Sequence, residues 1–201
     1  GTPGARIFLH KNIPVGAGLG GGSSDAAATL KALRVIYGKG SDAELSEIAA
    51  KIGADVPFFI TGQSAFATGT GTDLTLLPAI DLGWIAIIKP ADSLSTASVY
   101  KELRSADYHS KVESKSVLRA FYENDISSIA DSLYNSLEAP AFRLLPKLAD
   151  MKKKLVNLGG KALLSGSGSA VFALFEDEDR AKNALESMKP YCEWSGLFRS
   201  G

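Results

Sequence analysis

The sequence predicts a mixed α+β fold, and three observations point there. Short apolar runs of strand length are interleaved with amphipathic segments of helix length, an arrangement typical of α+β domains. Glycine and capping residues punctuate the boundaries between them. The 201 residues, 45% apolar and 22% charged, provide core for one large domain or two small ones.

Taken in order, Ala5 to Leu9 alternates weakly and reads as a strand, followed by a loop around Pro14. Ser23 or Ser24 can cap a helix reaching about Tyr37, with Asp25 in its first turn and Gly38 and Gly40 ending it. Ser41-Asp42-Ala43-Glu44 is a capping-box pattern, and Leu45, Ile48, Ala49 and Ile52 then share one helical face up to Gly53. Val56 to Ile60 and Ser64 to Thr68 read as strands, and Gly69 to Asp73 as a turn before Leu74 to Leu77. Pro78 to Gly83 is a seam between halves. Trp84 to Ile88 reads as a buried strand. Helices are expected at 96–104, 114–122, 125–134 and 140–157, the last stopped by Gly159-Gly160. A strand at Ala162 to Leu164, the turn Ser165-Gly166-Ser167-Gly168 and a strand at Ala170 to Phe175 follow. Glu178 to Met188 is helical, and Trp194 to Arg199 is an edge strand. There is no internal repeat and no low-complexity tract.

Composition excludes some functions. Lys and Arg total 22, as do Asp and Glu, and the longest basic run is Lys152-Lys153-Lys154. That balance argues against nucleic acid or an anionic membrane as partner. Cys192 is the single cysteine, which excludes an internal disulfide and fits a reducing cytoplasm. It has no activating neighbour in sequence and reads as buried and inert. No apolar stretch approaches membrane-spanning length. His10 and His109 suggest neither a metal site nor a triad. The sequence opens Gly1-Thr2-Pro3-Gly4 without methionine, so the expectation is a cut or processed start.

The most informative stretch is Pro14-Val15-Gly16-Ala17-Gly18-Leu19-Gly20-Gly21-Gly22-Ser23-Ser24-Asp25. Glycines let a backbone turn sharply and let a ligand approach it. A helix beginning directly after them offers unpaired N–H groups and the positive end of a dipole, a combination that cradles phosphate. A Walker A loop would need Gly-Lys-Ser/Thr, and no lysine follows these glycines. The His-Arg-Asp and Asp-Phe-Gly elements of protein kinases are missing from the sequence. Gly16 to Gly21 does match G-x-G-x-x-G, but a dinucleotide fold needs a second strand where Asp42 and Glu44 open a helix. A dinucleotide-dependent oxidoreductase is the weaker alternative.

Pro14-x-x-x-Gly18-Leu19-Gly20 followed by Ser23-Ser24 resembles the central motif of the GHMP small-molecule kinases, which include galactose, homoserine and mevalonate kinases. The longer run Gly18 to Ala27, the block Ile52 to Phe59 and the block Leu164 to Phe172 resemble the branch of that family acting in non-mevalonate isoprenoid synthesis. The resemblance implies a GHMP kinase fold. Residues 1–80 would form a ribosomal-S5-like ATP-binding half, N-terminally incomplete, and residues 81–201 a ferredoxin-like half. It implies ATP and Mg2+ as cofactors and a small-molecule acceptor, a cytidine diphosphate-linked methylerythritol. The expected assembly is a monomer or weak homodimer.

Carried onto this sequence, the family's nucleotide contacts fall on Lys11, Pro14, Gly16, Gly18, Leu19, Gly20, Gly21, Gly22, Ser23 and Ser24, with Ser24 also a magnesium contact. An ordinary exposed lysine would read the same way as Lys11. Asp55 matches the catalytic aspartate, which accepts or orients the proton of the attacking hydroxyl. Thr96 and Tyr100, one helical turn apart, fall where the family holds the cytidine end of its substrate, though a helix cap and a half-buried ring fit too. Gly166, Ser167 and Gly168 correspond to a substrate-side turn. The family's opening segment carries a lysine that pairs with the aspartate and an Asp-Gly-Tyr-His-like block. Neither occurs in this sequence, so weak nucleotide binding and little turnover are expected of the chain alone, and a non-catalytic nucleotide-binding module stays open.

Overall fold

The computed structural model describes residues 4–108 and 113–200. Gly1 to Pro3 and His109 lie outside them. Three helices open the chain, α1 (Gly21–Tyr37), α2 (Asp42–Ile52) and α3 (Val56–Thr61). An antiparallel hairpin of β1 (Ala65–Thr68) and β2 (Asp73–Leu76) follows, closed by the glycine turn at 69–72. Then come β3 (Trp84–Lys89), α4 (Thr96–Glu102), α5 (Ser114–Glu123), α6 (Ile126–Asp131), α7 (Glu138–Leu144) and α8 (Lys147–Asn157). The chain finishes with β4 (Lys161–Leu164), β5 (Val171–Phe175), α9 (Glu178–Met188) and β6 (Trp194–Arg199).

The last four strands form one sheet in the order β4-β5-β3-β6, every pairing antiparallel. Counted from β3 in sequence, that spatial order is the 2-3-1-4 of a ferredoxin-like sheet. α8 crosses from the first strand to the second and α9 from the third to the fourth, and both pack on the sheet. Ile88, Leu164, Val171 and Ala173 from the strands meet Leu148, Met151, Leu155, Ala181 and Met188 from the helices in the main core. Alternating strand residues supply one face of this layer, and the i, i+3, i+7 residues of α8 supply the other. No two strands pair in parallel among the described residues, so the parallel sheet of a dinucleotide fold is not formed and the oxidoreductase reading is not favoured.

The first three helices pack on one another around Ala27, Ala49 and Val56, with Leu30, Phe59 and Ile60 at the margin. Ser41 accepts from the Glu44 amide and Glu44 returns a bond to the Ser41 amide, so the capping box forms as its sequence predicts. Ile80, in the segment between β2 and β3, is buried against Ala120 of α5 and Ile129 of α6.

Several local expectations are corrected. Ala5 to Leu9 forms no strand, because no partner strand among the described residues offers it hydrogen bonds, and Ile7, Phe8 and Leu9 are exposed. Val56 to Ile60 is helix rather than strand. Pro57 sits in its first turn, where a missing N–H costs nothing, and Val56 points into the three-helix core. α1 begins at Gly21 instead of at a serine cap, with Gly20 in the left-handed conformation before it. The helix expected over 96–104 ends at Glu102 and passes into a short 3-10 turn, Ser105–Tyr108. Pro146 divides the helix expected over 140–157 into α7 and α8, since its ring disfavours helical geometry in the residue before it.

Candidate functional site

The glycine loop is held at its shape by the turn at 165–168, roughly 150 residues away in sequence. Ser165 Oγ donates to the Gly18 carbonyl at 2.9 Å, and the Ala170 amide donates to the Ala17 carbonyl at 3.0 Å. Gly18 has φ +72°, and a Cβ there would stand 2.1 Å from the Ser165 carbonyl oxygen, so only glycine serves both the turn and the contact. Gly20 likewise turns left-handed against the Phe59 ring. The loop therefore enters α1 with no side-chain cap, and the Ser24 amide is the first to bond within the helix, to Gly20. The N–H groups of the first turn are left for a ligand.

In front of the loop lies a cleft of about 760 Å³. Of the nucleotide-side residues named from sequence, Lys11, Pro14, Gly16, Gly18, Leu19, Gly20, Gly21, Gly22 and Ser23 line it. Asp55, Thr96, Tyr100, Gly166 and Ser167 line it as well. Ser24 and Gly168 are not among the lining residues. Ser24 Oγ donates back to the Gly21 carbonyl at 2.9 Å, and Gly168 stands behind the turn against Leu164 and Leu94. A smaller cavity of about 360 Å³ adjoins the loop on the side of Asp55, Phe58 and the Gly71 turn.

The charges are sparse. Lys11 forms an ion pair with Asp25, and its ammonium lies over Gly21, where a side chain would crowd it. Asp25 lies beyond the first turn of α1, where it lines the cleft and balances the lysine rather than serving the helix dipole, a pairing between positions 11 and 25 that sequence alone does not reveal. Asp55 stands just before α3, exposed, with no capping bond and no ion pair among the described residues. Thr96 Oγ1 and Ser167 Oγ are 2.9 Å apart across the cleft wall, and Tyr100, one turn further along α4, is exposed.

Behind that wall, Arg143 of α7 clamps α4. Its Nε bonds Glu102 at 2.8 Å and its Nη2 bonds Asp107 at 2.7 Å. The guanidinium, with the Arg104 amide, holds the Asp107 carboxyl down at about 2. Among the described residues no cluster of three or more His, Cys, Asp or Glu side chains stands ready to hold a metal. Cys192 is half-buried, its thiol pushed up by burial, and it donates weakly to the Met188 carbonyl, consistent with an inert core-edge group. No helix of the described residues is long and apolar enough to cross a membrane.

Comparison with known proteins agrees with this architecture. Residues 1–63 match the family described as GHMP kinases N terminal domain, and residues 117–193 match GHMP kinases C terminal. The chain is 41% identical to a 4-diphosphocytidyl-2-C-methyl-D-erythritol kinase of Listeria welshimeri over 94% of its own length and 66% of that protein. Its identity to the Alkaliphilus metalliredigens protein of the same name is 38%, over 98% of this chain and 68% of that one. It thus spans about two thirds of the length of these relatives. A crystal structure of 4-(cytidine 5'-diphospho)-2C-methyl-D-erythritol kinase superposes with a TM-score of 0.79 at 37% identity, covering 95% of this chain and 69% of that one. Homoserine kinase from Cytophaga hutchinsonii shares the fold at 20% identity, with a TM-score of 0.71. On its sequence, its sheet order and its glycine loop, the chain belongs to the GHMP kinase family.

Proposed function

We propose that this chain carries the site of an ATP-dependent phosphotransferase acting on an alcohol, and that its acceptor is 4-diphosphocytidyl-2-C-methyl-D-erythritol. The observation that carries this reading is the single cleft that joins an uncapped helix N-terminus to an unpaired carboxylate, Asp55. The acceptor rests on the relatives named above. The proposed boundary between an ATP-binding half and a ferredoxin-like half lies at 80/81; separate core clusters on the two sides support two halves, while Ile80 itself packs with Ala120 and Ile129 of the second.

In this reading the backbone N–H groups of Gly20 to Ser23 and the Lys11 ammonium receive the phosphates of ATP. Asp55 orients the attacking hydroxyl and takes its proton, while Thr96 and Tyr100 hold the pyrimidine end and Gly166 and Ser167 close the substrate side. A magnesium ion arriving with ATP would neutralise phosphate charge. Ser24 is the proposed protein contact for it, since a hydroxyl whose proton is donated to Gly21 keeps its oxygen lone pairs. The protein's own work is positioning and charge placement, with no covalent step.

The test is Asp55→Ala in the full-length protein that contains this chain. ADP formation with the cytidylylated acceptor should fall by about two orders of magnitude or more, with ATP affinity nearly unchanged. Undiminished turnover would remove Asp55 from this role. The competing reading is a nucleotide-binding module without catalysis. It gives thermal stabilisation by ATP analogues and no ADP release from any sugar-alcohol acceptor.

A further inference from the structure

We propose that Asn135 is a positioning residue for the cleft, setting the spacing between its substrate-side wall and the loop that precedes α7. The inference rests on the phosphotransferase reading for its kinetic consequence, but not for its geometry. Asn135 lies in the irregular segment between α6 and α7 and does not itself line the cleft. Its side-chain amide donates to the Leu164 carbonyl at 2.9 Å and to the Gly166 carbonyl at 2.8 Å. Its Oδ1 accepts from the Leu137 amide at 2.9 Å.

Those three backbone groups belong to the end of β4, the 165–168 turn and the entry to α7. Gly166 and Leu137 both line the cleft, so one side chain ties together two stretches of its wall. Both amide donors and the acceptor oxygen are used, leaving the group no alternative orientation that satisfies its partners. Glu138 supports the same corner by accepting from the Leu164 amide at 2.9 Å while paired to Lys152. The turn in turn fixes the glycine loop through the Ser165 bond to Gly18, and Ser167 meets Thr96. Asn135 therefore acts on both sides of the site through backbone contacts, with no contact to substrate of its own.

Two substitutions separate positioning from packing. Asn135→Asp keeps the shape and the acceptor for Leu137, but sets a carboxylate oxygen against two carbonyls. Asn135→Ala removes the group and admits water. Positioning predicts that Asp is at least as harmful as Ala. The acceptor KM should rise about tenfold, equivalent to roughly 1.4 kcal/mol, with kcat within about threefold of the parent. Amide exchange over 165–170 should quicken in both variants while amides of β3 and β5 stay protected. A purely structural role predicts the reverse order, Ala worse than Asp, and faster exchange throughout the sheet. That result, or an unchanged KM in Asn135→Asp, overturns the proposal. Absence of turnover in the parent protein counts against the phosphotransferase reading alone, and the exchange pattern then decides Asn135 by itself.

Discussion

The two halves of the chain are built to different standards of burial. In the C-terminal half, sixteen of the described residues form one buried cluster between sheet and helices, with Ile88, Leu148 and Leu155 fully enclosed. In the N-terminal half, the buried cluster is Ala27, Ala49 and Val56, while Val35, Ile36, Ile48 and Ile52 of the same helices are exposed. The glycine loop belongs to the weaker half but takes its conformation from the stronger one, through Ser165 and Ala170. A phosphate cradle needs bent backbone and free N–H groups, which supply little stability of their own. Docked onto a turn of a well-packed sheet, the loop proposed for that role is held in shape without a core beneath it.

That contrast can be tested from the largest effect downward. Leu148→Ala should cost about 3 to 5 kcal/mol and lower the denaturant midpoint of the whole chain, since it opens a cavity in the shared sheet core. Gly18→Val should leave the sheet folded yet abolish loop docking, because the new side chain meets the Ser165 carbonyl. ATP-analogue binding by calorimetry should then be lost, and retained binding would break the claim that the turn shapes the loop. Val56→Ala should cost about 2 kcal/mol, read as faster amide exchange confined to α1, α2 and α3. Exchange spreading into the sheet would mean that the halves unfold together.

Acid should distinguish the regions as well. The Asp107 carboxyl is held at about 2, below its ordinary 3.8, chiefly by the Arg143 guanidinium. A lowered folded-state value means that this stabilisation is complete above about 4 and is lost as pH falls toward 2. Arg143→Met should flatten that part of the melting-temperature profile, with the loss seen first at α4 and its Tyr100. The smallest effect belongs to Gly22→Ala. Beyond its chain neighbours and the helix's own backbone, nothing stands within 4 Å of the added methyl, and Gly22 already lies in α1, so stability should rise by up to about 1 kcal/mol.

Much of the fold was legible in the chain because its signals are local. The capping box at Ser41, the glycine stops and the strand at Trp84 to Ile88 depend on neighbours a few residues away. Errors arose where the partner was distant. Ala5 to Leu9 alternates like a strand, yet a strand exists only with a neighbour to pair with. Val56 to Ile60 is apolar enough for a sheet, and only its fit against Ala27 and Ala49 makes it a helix. In the site, the residues carried by motif, from Gly16 to Ser23 with Asp55, Thr96 and Tyr100, all reach one cleft. The pairing of Asp25 with Lys11 and any role for Asn135 gave no comparable signal, because each is defined by a contact made across the fold.

By itself, then, the sequence determined the composition of the glycine loop, the α+β alternation and the membership of a kinase family. These are short-range matters of glycine conformation, helix capping and motif spacing. Tertiary structure decided that α1 starts at Gly21 without a cap, that Lys11 is balanced by Asp25, and that the 165–168 turn grips Gly18. The physical reason is the same in each case. A backbone group or charge is satisfied by whatever the packed chain brings within about 3 Å, and that proximity is not encoded in spacing along the sequence.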